Sequence, residues 1–298
     1  MTLPPGQPGP YPPQPGPWQG LPACVRHPDR PTGLRCVRCD RPACPECLRD
    51  AAVGQQCVDC VAEGRRTVRP RTTIAGAKLD TRVIVVPALV VLNLAVYAVT
   101  VAQAGSLGTN DLAPLFGSWV LWPAAVVEFG EPWRLITAGF LHYGPIHVAL
   151  NMLALWILGR DIEPLLGRAR FVAVYLLSLF GGSVAVFLFG PVDSGTAGAS
   201  GAVWGVMGAV LVTVLRLRLN PRPVLAVIAI NAVISFLPGI SLFGHLGGFL
   251  VGVAATAALL YAPRGRQQLP VQVGALLGIG VLLIALTALR WAQLAPVL

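Results

Sequence analysis

GTAGASGAVWG, residues 195–205, opens an apolar run that continues to about residue 217. Four glycines surround one serine, Ser200. At helical spacing Gly201, Gly205 and Gly208 fall on one face below it, and a face of small residues lets a second helix approach closely. A hydroxyl at the head of an apolar helix is either an N-cap or a nucleophile. A matching face lies at FGHLGGFLVG, residues 243–252, where Gly248 and Gly252 follow His245 at i+3 and i+7. Packing the two faces together would bring Ser200 and His245 within hydrogen-bond reach, as nucleophile and general base of acyl transfer. No carboxylate holds a comparable place in the apolar runs, so the expectation is a dyad and not a triad.

The surrounding chain supports a membrane setting. It has 298 residues, 55% hydrophobic and only 12% charged, and a mean hydropathy of +0.68. Soluble domains carry about 25% charged residues. Seven apolar runs read as spans, at 82–104, 146–164, 170–190, 200–217, 223–239, 243–261 and 272–291. The second reads as the shortest and most polar, facing protein more than lipid. Residues 105–145, too broken by Pro, Gly and charge to span, read as an interfacial loop with short amphipathic helices. The fold class expected is an all-α polytopic membrane protein with a small N-terminal module. The net charge of +9 belongs to cytoplasmic loops rather than to nucleic-acid binding. With the N-terminus cytoplasmic, Arg160, Arg168, Arg170, Arg216, Arg218, Arg222, Arg264 and Arg266 all fall inside, and the C-terminus lies outside. Composition suggests a GC-rich bacterial source and a plasma-membrane location, and no cleavable leader is read at the N-terminus.

Three of the four histidines lie in or beside spans, where ionisable groups are costly and mark function. His147 and Asn151 are four apart and share a helical face; His142 precedes them in GFLHYGPIH. Helix packing, a proton relay or an N-cap would each explain one such pattern. Together with Trp133-Arg134 and Gly198-x-Ser200-Gly201, they give the chain a close resemblance to the rhomboid intramembrane serine proteases over about residues 82–261. The resemblance implies a six-helix core with the seventh span as an addition. By similarity Ser200 is the nucleophile and His245 its base, and His147, Asn151 and the Ser200 N–H form the oxyanion hole. His142 orders that hole, while Trp133 and Arg134 anchor the first loop. Trp204 stands where the family often has Tyr or Phe under the histidine ring. No cofactor is implied for catalysis. The substrates implied are single-span transmembrane proteins in the lipid bilayer, cut near the outer face. A catalytically silent binder or quality-control factor is the alternative, opposed by the presence of both Ser200 and His245. A histidine-using transporter fits poorly, because no internal repeat is evident.

All seven cysteines lie between Cys24 and Cys60. The pairs Cys24/His27, Cys36/Cys39, Cys44/Cys47 and Cys57/Cys60 each span x-x, the spacing of structural zinc sites in a reducing compartment. Eight soft ligands make two filled tetrahedral sites, hence two structural zinc ions. The order resembles B-box and related cross-brace fingers. That resemblance implies pairing first with third and second with fourth, with sequential pairing the alternative. A cytoplasmic protein is the partner class expected for the module. The expected organisation is a disordered Pro/Gly-rich arm (1–22), the zinc module (23–61), a basic linker (62–81), the protease core (82–264) and a further span (265–298).

Overall fold

The computed structural model describes residues 20–67 and 72–297. Nearly all of the Pro/Gly-rich arm, and Arg69 and Arg71 of the linker, lie outside the described residues. The chain divides into two compact units between Pro70 and Arg71.

The first unit is built from short pieces. Strands β1 (Ala23–Cys24) and β2 (His27–Pro31) pair antiparallel, with Cys24 opposite His27. Strands β3 (Leu48–Asp50) and β4 (Gln55–Cys57) pair with Leu48 opposite Cys57. Helix α1 (Val58–Thr67) follows at once and carries Cys60, so it occupies the first six residues expected as linker. The buried cluster consists of six cysteines, Ala43 and Leu48. One large aliphatic side chain is too little apolar core to hold some forty residues together.

The second unit is helical. Helix α2 (Val85–Ala104) is the first span. Residues 105–143 form the expected broken loop, with short helices α3 (Pro114–Trp119), α4 (Pro123–Glu128) and α5 (Arg134–Thr137). Then come α6 (Gly144–Leu166), α7 (Arg168–Phe189), α8 (Ser200–Arg216), α9 (Arg222–Ile234), α10 (Leu242–Leu260) and α11 (Gln268–Leu294). The seven longer helices stand where the seven runs were read. By length and composition α2, α7, α10 and α11 can each cross a membrane, and α6 qualifies jointly with residues 134–140, bent from it by 92°. Two expectations are corrected. Helix α6 is among the longer helices, at 23 residues, because it starts at Gly144 and runs to Leu166, with Gly167 as its C-cap. The shortest is α9, at 13 residues; at about 1.5 Å per residue it reaches about 20 Å of a hydrocarbon core of about 30 Å. It ends early because Pro238 disfavours helix in the residue before it.

Glycine sets the centre of this unit. A Cβ at Gly182 of α7 would lie 2.7 Å from the Gly244 carbonyl of α10. On the α8–α10 seam, a Cβ at Gly248 would strike the Gly201 carbonyl and one at Gly252 the Gly205 carbonyl. The two faces read from the sequence are therefore in backbone contact, as small-residue packing allows.

Glu163 performs a different task from any read in the sequence. It is 1% exposed, and its carboxylate accepts the N–H groups of Ile84 (2.8 Å), Val85 (2.9 Å) and Val86 (2.9 Å). These are orphan donors at the start of α2, whose own N-cap, Ile84, has no side chain able to cap it. Glu163→Gln keeps the shape but removes one acceptor oxygen and the charge. We expect a loss of about 2–4 kcal/mol in reversible detergent unfolding. A loss below about 0.5 kcal/mol, the usual scatter of neutral surface changes, would show that α2 is held by packing alone.

Candidate active site

Ser200 is the first residue of α8, entered through the loop 195–199. That loop is tied down from both sides. Leu121 and Thr196 exchange backbone hydrogen bonds of 3.0 and 2.8 Å, and the Gly198 N–H donates to the Ala138 carbonyl at 2.9 Å. Gly198 has φ +138°, a conformation side chains rarely adopt. A Cβ there would lie 2.8 Å from His147 Cε1, 2.9 Å from His147 Nε2 and 3.6 Å from Ser200 Oγ. Gly198 thus keeps open the space between Ser200 and His147.

His147 sits in the first turn of α6, which begins with Pro145 at a helix-compatible position. The Tyr143 N–H donates to His147 Nδ1 at 3.2 Å, so in the neutral ring the proton is on Nε2, the nitrogen beside Gly198. Asn151 is buried one turn on, and its Nδ2 donates to the His147 carbonyl at 3.0 Å. His142 is 1% exposed, its ring edge-on to His147 at 5.1 Å. Neither of its ring nitrogens has a hydrogen-bond partner among the described residues.

A residue not read from the sequence holds this segment. Asn110 donates through Nδ2 to the His142 carbonyl (2.8 Å) and to Thr100 Oγ1 (3.0 Å), and its Oδ1 accepts the Gly144 N–H (2.9 Å). It thereby caps α6. A lone Asn in a broken loop carries no periodic signal, so nothing in the sequence marks it. Arg134 is buried: its Nη1 donates to the carbonyls of Gly117 (2.7 Å) and Val120 (2.8 Å), while Nε pairs with Glu131 at 2.6 Å. Trp133 donates Nε1–H to the Ser118 carbonyl at 3.3 Å. Together they stitch α3 to α5 through the loop.

His245 lies in the first turn of α10, where Ser241 Oγ caps the helix by accepting the Gly244 N–H at 3.2 Å. Its ring stacks on Trp204 of α8 at 5.2 Å and 23°; the larger indole supplies the aromatic floor. The hydrogen bond given to the His245 ring is between Nδ1 and Ser235 Oγ, at 2.7 Å, and not one to Ser200. Catalytic hydrogen bonds are commonly long before substrate arrives. Beside Ser200 is a cavity of about 30 Å³, lined in part by Gly182, Ser183, Gly198, Gly201 and Gly244.

If Ser200 is a nucleophile and His147 a donor beside it, Gly198→Ala is expected to lower turnover by about 100-fold or more, because its methyl group would fall 2.8–2.9 Å from the His147 ring. Rates measured beside an unchanged unfolding midpoint would isolate this effect. Activity within about 3-fold of wild type would remove His147 from any role as donor.

The first unit gathers its ligands into two groups, Cys24, His27, Cys44 and Cys47, and Cys36, Cys39, Cys57 and Cys60, with ligand atoms within 4.8 Å of one another in each. This is the first-with-third, second-with-fourth arrangement. Ligands about 2.0–2.3 Å from one tetrahedral zinc stand about 3.5–3.8 Å apart. His27 Nδ1 lies 3.9, 3.3 and 3.4 Å from the sulfurs of Cys24, Cys44 and Cys47, and Cys39 and Cys57 are 3.8 Å apart. The donor set fits such an ion. Backbone N–H donors, that of Cys44 first, pull the Cys24 thiol down to about 6, whereas hydrogen bonding to Cys39 pushes Cys60 up to about 12.

Comparison with known proteins adds four findings. The family model described as the Rhomboid domain matches residues 130–262. Rhomboid protease GluP of Bacillus subtilis (strain 168) is 36% identical over 176 residues, 57% of this chain and 34% of that protein. RHOMBOID-like protein 6, mitochondrial, of Arabidopsis thaliana is 41% identical over 150 residues, 48% of each chain. Putative rhomboid protease YdcA of Bacillus subtilis (strain 168) is 34% identical over 150 residues, 45% of this chain and 75% of that protein. The chain thus spans between about a third and a half of the length of the first two relatives.

Proposed function

The chain belongs to the rhomboid family, and on that premise we propose that it is an intramembrane serine endopeptidase working through Ser200 and His245. The observation that carries this reading is the space at Gly198, 2.9 Å from His147 Nε2 and 3.6 Å from Ser200 Oγ. A scissile carbonyl placed there has a nucleophile on one side and a donor on the other. Ser200 Oγ attacks the carbonyl carbon while His245 Nε2 takes its proton. The negative charge that develops on the carbonyl oxygen meets His147 Nε2–H, the Asn151 amide and the Ser200 N–H at the start of α8. His245 then returns the proton to the leaving amine, and water releases the acyl group by the reverse steps. His142, beside His147, offers a ring nitrogen without a partner among the described residues to a water. Gly201, Gly248 and Gly252 let α8 and α10 close up; Trp204 sets the base; Trp133 and Arg134 hold the loop against which 195–199 is pinned.

The small cavity beside Ser200, about 30 Å³ and lined by glycine, serine, alanine and a few larger apolar side chains, suits a methyl or hydroxymethyl side chain at the cleaved bond. The substrates proposed are single-span membrane proteins, cut at the outer side. The arginine distribution supports a cytoplasmic N-terminus and an outer C-terminus, and Ser200 and His245 each begin a helix at its outer end. The first unit, on this reading, binds two structural zinc ions and presents a cytoplasmic partner site. The organisation proposed keeps the core at 82–264 and α11 as an added span.

The test is reconstitution in liposomes with a single-span reporter carrying small residues at its outer boundary, together with fluorophosphonate labelling. Cleavage with labelling of Ser200 is the expected result. Absence of both would replace the protease reading with the silent binder.

A further inference from the structure

Ser235 follows directly on α9 and is 2% exposed, whereas no residue of α9 itself is buried. Its hydroxyl oxygen lies 2.7 Å from His245 Nδ1 and 2.8 Å from the Asn231 carbonyl one helical turn back. We propose that Ser235 is a positioning residue for the general base: it fixes His245 as the Nδ1–H tautomer and holds its ring in the plane that points Nε2 at the Ser200 proton. The proposal rests on the Ser200–His245 reading.

The direction of the hydrogen bond follows from counting protons. A carbonyl only accepts, so the single hydroxyl proton of Ser235 is donated to Asn231. The Ser235 oxygen then has lone pairs left for Nδ1–H. With the proton on Nδ1, Nε2 carries a lone pair, the form able to take a proton from Ser200. Stacking on Trp204 sets the ring plane, and the bond to Ser235 fixes rotation within it. When Nε2 is protonated, the charge appearing on the ring faces the Ser235 oxygen, itself polarised by the Asn231 carbonyl. No carboxylate is needed. Glu163 is occupied by three N–H groups of α2, and a neutral oxygen beside the base avoids burying a charge in an apolar site.

The experiment uses the full chain in liposomes and compares wild type with Ser235→Ala and Ser235→Thr. Cleavage is resolved into kcat and KM, and ring-labelled ¹⁵N-histidine spectra are assigned to His245 by its loss in His245→Ala. A positioned general base contributes about 100- to 10,000-fold, and loss of its orienting partner is expected to forfeit about 10- to 100-fold of that in kcat, with KM within about 3-fold. Ser235→Thr, which keeps the hydroxyl, should recover most of the rate. The wild-type spectrum should show a protonated Nδ1 and a bare Nε2, a pattern lost in Ser235→Ala. The proposal is overturned if Ser235→Ala keeps kcat within about 3-fold of wild type, if Thr is as slow as Ala, or if wild-type His245 carries its proton on Nε2. Should wild type neither cleave nor label, the protease reading fails on its own account. The tautomer spectra still decide whether Ser235 orients His245.

Discussion

Ser200→Ala and His245→Ala are each expected to lower reporter cleavage by about 10,000-fold or more, and the double variant to be no slower than either single one. Neither residue works alone. A serine hydroxyl is a poor nucleophile until a base removes its proton, and a histidine in an apolar site has nothing to activate without that hydroxyl. Removing either therefore removes one shared step, and the free-energy losses do not add. The proposed oxyanion donors survive in all three variants, so a small residual rate above the uncatalysed reaction should remain and be similar in each. The check is a time course at saturating reporter, with far-UV circular dichroism matched to wild type. The instructive failure is His245→Ala retaining more than about 1% of the rate, since the dyad model leaves no second base. The base would then be His147 or His142, the other two histidines of this unit. A double variant much slower than both singles would mean that each residue acts in a separate step.

The sequence made the α8–α10 seam legible because close packing leaves a periodic trace. Gly201, Gly205, Gly248 and Gly252 repeat at helical spacing, and the structure sets those faces backbone to backbone. Ser200, His245, His147 and Asn151 were visible because polar groups stand out against apolar runs. What stayed hidden is held by single contacts between distant parts of the chain. Asn110 caps α6 across 34 residues, and Glu163 caps α2 across 77 to 79. Gln272 is fully buried and bridges Ala75, Leu259 and Arg170. None has a periodic partner, since a long-range hydrogen bond needs only one suitable side chain at each end. Ser235 belongs to this group as well. Helix α6 exceeds the run read at 146–164 by two residues at each end, and the charge of Glu163 within it is absorbed by the backbone of α2. The short α9 shows the opposite error, where apolar composition ran past the point at which Pro238 ended the helix.

Stripping metal from the first unit is expected to unfold it while the helices of the second unit persist. Its buried cluster holds Leu48, Ala43 and six cysteines, so hydrophobic burial supplies little. In zinc-finger peptides one structural zinc contributes on the order of 10 kcal/mol, which is then essentially the whole folding free energy. Of the six arginines between Cys24 and Asp50, Arg30 and Arg41 precede prolines and resist trypsin, so Arg26, Arg35, Arg38 and Arg49 serve as reporters. Arg38 donates to the Cys60 carbonyl and Arg41 to Cys39 Sγ, contacts that vanish when the ligands disperse. A strong chelator should raise trypsin cleavage at the reporter arginines by about 100-fold or more, and added zinc should reverse it. Metal analysis should give about two zinc ions per chain. The pairing has its own test. Joint substitution of Cys24 and Cys44 by serine should remove one ion, because both belong to one group, whereas joint substitution of Cys24 and Cys36 should remove both. The opposite pattern would establish sequential pairing, and unchanged protection under chelation would mean that the strands and α1 fold without metal.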